Sequence, residues 1–192
     1  ALPGSLAAYP PSPQPVPALP RARVETDLAV QPVAAAPPPR FLACNPLGTV
    51  LGVVSELVEC GRARFQRGEY EDAREALDGA VKRATEAPLL REARYWLGET
   101  LVRLGRPEPA AQAMILVIQS DPRSDVGLHA ALKYGWLSLV AGDTARGLAT
   151  LDGLIKVGPS PALLPWAQHG RAVALNGLGR YAEAREVWTR LL

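Results

Sequence analysis

The 192-residue sequence is poor in the groups that catalysis draws on. It has two histidines and two cysteines, and it lacks a Gly-rich phosphate loop, a GxSxG elbow and an HExxH pair. Phosphoryl transfer, serine-type acyl transfer and zinc hydrolysis therefore have no sequence basis, and neither an enzyme nor a cofactor is expected. Cys44 and Cys60 are not in CxxC spacing, which removes the usual zinc and redox signatures. Lysine is scarce too. Only Lys82, Lys133 and Lys156 stand among 21 basic residues, the arginines are interspersed with acidic neighbours, and the net charge is +2. Such a distribution describes solvated helix faces and not a nucleic-acid stripe. The uncharged run 41–55 is too short and too rich in glycine and proline to span a bilayer, so no transmembrane segment is expected.

What the chain does have is a period. Gly68, Gly105, Gly142 and Gly179 are each 37 residues apart, and each lies between two apolar-patterned segments, as a turn glycine in a helical hairpin would. The slot seven before the glycine holds Gly61, Gly98, Gly135 and Ala172, small in every copy. The slot five after holds Ala73, Ala110, Gly147 and Ala184, and the slot nine after holds Leu77, Met114, Leu151 and Trp188. Small residues that let two antiparallel helices approach, alternating with large ones that fill the gap, predict four hairpins stacked into an all-α solenoid.

The best-formed unit, 91–122, has Leu97, Gly98, Leu101, Gly105, Ala110, Met114, Val117 and Pro122 at the spacing of a tetratricopeptide repeat, and the chain resembles that family from about Val54 onward. The resemblance implies a right-handed solenoid with repeats at about 54–88, 91–122, 128–159 and 165–192 that holds other proteins. The period is longer than the usual one of about 34 residues. Together with the segments Ala93-Arg94-Tyr95-Trp96-Leu97-Gly98-Glu99 and Ala130-Ala131-Leu132-Lys133-Tyr134-Gly135, it is similar to repeats of bacterial envelope proteins. These are the periplasmic coordinator of outer-membrane constriction that works with the Tol-Pal system and the repeat lipoprotein of the β-barrel assembly machine. That likeness implies a scaffold or adaptor in the periplasm or cell envelope, with any membrane association made through partners. The alternative is a cytoplasmic co-chaperone-like or regulatory module, for which the carboxylate clamp would have only Arg62, Arg103 and Asn176. The fourth repeat departs from the pattern at Arg171, which occupies a slot that is normally apolar.

In such an array the first helix of each hairpin lines the concave side, with slots two, five, nine and twelve pointing inward. Counting from Val54, Arg91, Leu128 and Pro165, these are Ser55, Val58, Arg62 and Phe65, then Glu92, Tyr95, Glu99 and Val102, then His129, Leu132, Trp136 and Leu139, then Trp166, His169, Val173 and Asn176. Arg62, Phe65, Tyr95, Glu99, His129, Trp136, Trp166, His169 and Asn176 are the expected groove for an extended or helical peptide, with the aromatic residues as anchors. His129 and His169 fall on first helices of adjacent repeats, offset by about a turn; a metal there would need a third ligand, for which Glu99 is the nearest by its repeat slot, and no metal is expected.

Residues 1–44 differ in kind, since 11 of the 19 prolines fall within the first 40 positions. They are expected to form an extended spacer or strap. Asn45-Pro46 reads as a helix start, with a first helix running to about Gln66 and apolar on all sides from Leu47 to Val54. In one continuous helix Cys44 and Cys60 would lie ~24 Å apart, so no bridge is expected and Cys60 reads as a small core residue. Lipidation of Cys44 is not expected, because Pro37, Pro38 and Pro39 stand where a hydrophobic leader is required. The chain begins at Ala1 without a leader pattern and reads as a processed chain or a fragment. Trp188, Leu191 and Leu192 are expected on a face that meets a further helix or a partner.

Overall fold

A computed structural model describes residues 53–191, and among these every regular element is a helix. In chain order they are α1 (Val54–Gln66), α2 (Tyr70–Arg83), α3 (Ala87–Arg103), α4 (Pro107–Ser120), α5 (Asp125–Val140), α6 (Thr144–Val157), α7 (Leu164–Gly177) and α8 (Tyr181–Leu191). They pair as four antiparallel hairpins stacked in sequence, the α-solenoid that the period predicts. The proline-rich segment and the stretch Asn45 to Gly52 lie outside the described residues.

Each hairpin turns in the same way. The glycines 68, 105, 142 and 179 have φ of 81°, 68°, 83° and 75°, values that a side chain would strain. In each turn the residue after the glycine donates its amide back to a carbonyl five residues earlier: Glu69 to Arg64 at 3.0 Å, Arg106 to Leu101, Asp143 to Ser138 and Arg180 to Leu175 at 2.9 Å. This satisfies carbonyls at the end of each first helix. Helix starts are marked by Pro88, Pro107 and Pro165, each within the first two helical positions. Ser124 and Asp143 cap α5 and α6, their side-chain oxygens accepting from the amides of Gly127 and Arg146 at 3.1 Å.

The small residues at the helix crossings make the close approach possible. A Cβ on Gly135 would lie 2.7 Å from Leu151 Cγ, and one on Gly98 would lie 2.7 Å from Met114 Cε. Gly61 faces Leu77 in the same way. The large residues opposite, Leu77, Met114 and Leu151, are fully buried, as are Ala73, Ala110 and Ala184. Trp188 and Leu191 fold inward as well, packing half-buried against a cluster that includes Leu148, Leu175 and Val187. The open face expected there is thus partly closed by the hairpin's own core.

Two expectations for the first helix are overturned. Val53 is extended (φ −60°, ψ 140°), so the helix begins at Val54 and does not run through from Asn45. Cys60 is buried among the core residues as expected, but it is disulfide-bonded where no bridge was expected. The separation that argued against a bridge assumed an unbroken helix, and that premise fails at Val53. The one other cysteine, Cys44, lies outside the described residues.

Successive first helices α1, α3, α5 and α7 touch one another, whereas the second helices make no comparable contact across repeats. The array is therefore tighter along its first helices, which form the inner face, and looser along its second helices, which form the outer face.

Candidate functional site: the inner face

The first half of the inner face is a network of rings and charges. Arg62 on α1 reaches across to α3, where its Nη1 donates to Glu92 Oε1 at 3.1 Å and its guanidinium lies 5.2 Å from the centre of the Trp96 ring. Trp96 in turn meets Phe65 edge-on at 5.6 Å and Tyr95 at 5.7 Å, and Arg103 stands 6.0 Å over Phe65. Phe65 also meets Tyr70 at 5.6 Å. Cations over ring faces and T-shaped ring pairs are each favourable, and here they satisfy one another.

The centre of the face is a buried carboxylate. Glu99 is 13% exposed at its side chain, and its Oε2 accepts from Lys133 Nζ on α5 at 3.1 Å. Glu99 Oε1 is buried without a hydrogen-bond partner among the described residues. Burial pushes the Tyr95 hydroxyl well above the ordinary phenol range, and the negative charge of Glu99 adds to the shift. Tyr95 therefore stays a neutral donor at physiological pH.

The second half, on α5 and α7, is open. Trp136 is half-buried, its ring set against Gly170, where a Cβ would lie 3.1 Å from Trp136 Cε2, and beside the His169 ring at 5.7 Å. Trp166 is 47% exposed, and His129, His169 and Asn176 are exposed. His129 donates its Nδ1–H to the Asp125 carbonyl at 2.8 Å and faces Tyr95 at 6.4 Å.

The structure thus brings Arg62, Phe65, Tyr95 and Glu99 into one packed network and leaves Trp136, Trp166 and His169 as an accessible shelf. Three residues that the helical register places on the inner face turn into the core instead. Val58 is 2% exposed beside Leu57, Ala80 and Ala93, Leu132 is 8% exposed beside Leu151 and Ala167, and Leu139 packs against the clusters of the last two hairpins. For Val58 and Leu132 the cause is the contact between successive first helices, which brings Ala93 and Ala167 of the next repeat to slot five, whereas Leu139, in slot twelve, packs against Gly147 and Leu148 on the second helix of its own hairpin. Trp96, Arg103 and Lys133 are inner-face residues outside the predicted groove. Trp96 and Lys133 share the slot one past the fifth, which lies at the seam between neighbouring first helices, and two large polar-edged residues in that slot were the available signal.

Arg62, Arg103 and Asn176 do not form a carboxylate clamp. Both arginines are engaged with rings of the first two hairpins, and Asn176 is in the fourth. Among the described residues no group of three His, Cys, Asp or Glu side chains is placed to hold a metal ion. Among the same residues no helix is long and apolar enough to cross a membrane.

A fold of stacked hairpins with a glycine-turned 37-residue period and a ring-lined inner face defines a tetratricopeptide-repeat solenoid. Two family models, each described as a tetratricopeptide repeat, match residues 60–125 and 165–190, so the chain carries tetratricopeptide repeats. Among solved structures it is similar to MamA, with 21% identity over 76% of this chain and 80% of that one at a TM-score of 0.65. It is also similar to YrrB, a TPR protein with an unusual peptide-binding site, with 16% identity over 72% of this chain and 67% of that one at 0.61. A thermophilic TPR protein of Thermus thermophilus shares 20% identity over 73% of each chain at 0.54. These likenesses carry the fold. No curated protein sequence matches the chain.

Proposed function

We propose that this protein is a non-enzymatic interaction scaffold that holds an extended or helical segment of another protein along the α5–α7 half of its inner face, as a subunit or adaptor of a bacterial envelope assembly. The observation that carries the reading is the shelf of Trp136, His169 and Trp166: large rings, one of them 47% exposed, with no ion pair closing over them among the described residues. Rings of this kind supply binding energy at low entropic cost, and repeat solenoids present them along a continuous surface. The peptide-binding site named for YrrB is a precedent on the same fold.

The compartment rests on two supports. One is the likeness of the repeat register to envelope proteins. The other is the disulfide at Cys60, because such bonds persist in oxidising compartments such as the periplasm and are rare in the cytosol. The cytoplasmic co-chaperone reading has neither the clamp nor the redox state in its favour.

The experiment is isolation of the native complex under thiol-blocking conditions, with its components identified by mass spectrometry, from cells carrying wild type or Trp136→Ala. The expected result is a defined set of envelope proteins that is lost with Trp136→Ala, and Cys60 recovered oxidised. Recovery of Cys60 as a free thiol would overturn the compartment, and an unchanged set of partners would overturn the shelf.

A further inference from the structure

Among the described residues the outer face carries a cleft that recurs two repeats further along the chain. One, of about 680 Å³, is lined in part by Asp78, Val81, Arg94, Leu97, Ala113 and Leu116. The other, of about 360 Å³, is lined by Asp152, Ile155, Gln168, Arg171, Val187 and Arg190, with Lys156 at its edge. Adding 74, twice the 37-residue period, to each of the six positions in the first cleft gives the six in the second. Such clefts follow from the loose spacing of the second helices. In the repeat between, Tyr134 takes the slot of Leu97 and Arg171, and its ring packs against the cluster of Met114, Val117 and Ala130.

The geometry repeats, but the chemistry does not. Leu97 becomes Arg171, Leu116 becomes Arg190 and Arg94 becomes Gln168; the first cleft sets Arg74, Arg94 and Arg106 against Asp78 and Glu108, whereas the second brings its cations to the floor with fewer carboxylates to answer them. Against Lys156, Arg171 and Arg190 the lining offers one carboxylate, Asp152. Arg171 donates its Nε to Asp152 at 2.6 Å, and its two terminal nitrogens make no hydrogen bond among the described residues. Arg190 is paired with Glu186 at 2.5 Å, and Lys156 has no ion pair among the described residues. Ile155 and Val187 remain as apolar wall. Core packing does not ask for an arginine where the other repeats have Cys60, Leu97 and Tyr134, and a part-exposed ion pair adds little stability.

We propose that this cleft is a second docking site, on the face opposite the aromatic shelf, for an acidic segment of a partner protein. A carboxylate of that segment engages the free edge of the Arg171 guanidinium and the Lys156 ammonium, while a neighbouring apolar side chain rests on Ile155 and Val187. A planar guanidinium held by one carboxylate at Nε offers its remaining donors to a second carboxylate in a fixed fork.

The test is a fluorescence-anisotropy titration of the purified protein with a short fluorescein-labelled peptide of Glu-Leu-Gly units, with a Lys-Leu-Gly peptide as control. Wild type binds the acidic peptide and not the basic one, added salt weakens binding, and Arg171→Gln and Lys156→Gln each weaken it about tenfold. Arg171→Lys retains most of the affinity, and Trp136→Ala leaves it unchanged, which separates this site from the inner face. Lys156 is exposed, so Lys156→Gln carries the test even if Arg171→Gln does not fold. No binding of the acidic peptide, equal binding of both peptides, or unchanged affinity in Lys156→Gln would each overturn the proposal. So would capture of phosphatidylglycerol vesicles with indifference to the peptide.

Discussion

The two halves of the inner face use similar residue types to opposite ends. On α1 and α3, Arg62, Phe65, Tyr95, Trp96 and Arg103 spend their rings and charges on each other, and Glu92 closes the network. On α5 and α7, Trp136, His169 and Trp166 have, among the described residues, no arginine over them and no carboxylate across from them. The boundary is the Glu99–Lys133 pair. Aromatic content alone therefore does not mark a groove. What marks it is whether the partners of the rings come from the same chain.

The largest expected effect tests the helix crossings of the two halves. Gly135→Leu meets Leu151 at its Cγ, a branch point that cannot swing away, and is expected to lower stability by ~3 kcal/mol. Gly98→Leu meets the flexible end of Met114 and is expected to cost less, ~1 to 2 kcal/mol. Urea unfolding followed by circular dichroism ranks the two, and the reverse order would show that the second hairpin is the more tightly crossed.

Next is the pair of tryptophans. Trp96→Ala removes the ring between Arg62, Phe65 and Tyr95, with an expected loss of ~2 kcal/mol in stability and little change in partner affinity. Trp136→Ala is expected to cost ~2 kcal/mol in binding, or more, with helical content close to wild type. Calorimetric Tm and partner titration on both variants sharpen the comparison, since equal effects on both readouts would erase the difference between network and shelf.

The smallest effect is in acid, and it is expected to be alike in both halves. Hydrogen bonds from Arg67 hold the Glu69 carboxyl below its ordinary value of 4.5, and those from Arg180 do the same to Glu183. A carboxyl lowered in the folded state contributes stability above its unfolded pKa and loses it as pH falls through the folded one. Both pairs are fully exposed, so Glu69→Gln and Glu183→Gln should each flatten the fall in Tm below about pH 4.5 only slightly. A large change from either would mean that the pair is shielded by something bound.

Much of the fold was legible because its determinants are local and recur. A left-handed glycine every 37 residues, and a small residue opposite Leu77, Met114 and Leu151, are properties of sequence positions. The inner face was legible in register but not in chemistry. Val58 and Leu132 point the predicted way along their own helices, yet neighbouring first helices cover them, which depends on packing between repeats. Trp96 was overlooked for the converse reason, since its slot belongs to the seam and not to one helix. The disulfide at Cys60 was hidden by assuming one helix from Asn45, an assumption that fails at the extended backbone of Val53.

The central claim is that the α5–α7 shelf, and not the α1–α3 network, holds the partner. Photo-crosslinking in the native cell tests it most directly, with p-benzoylphenylalanine placed at Trp166 in one strain and at Val102, an exposed inner-face position 38% accessible on α3, in another. The predicted result is a defined adduct from position 166 that disappears with Trp136→Ala and persists with Arg62→Ala, and no comparable adduct from position 102. An adduct from position 102 alone, or one from position 166 indifferent to Trp136→Ala, would contradict it.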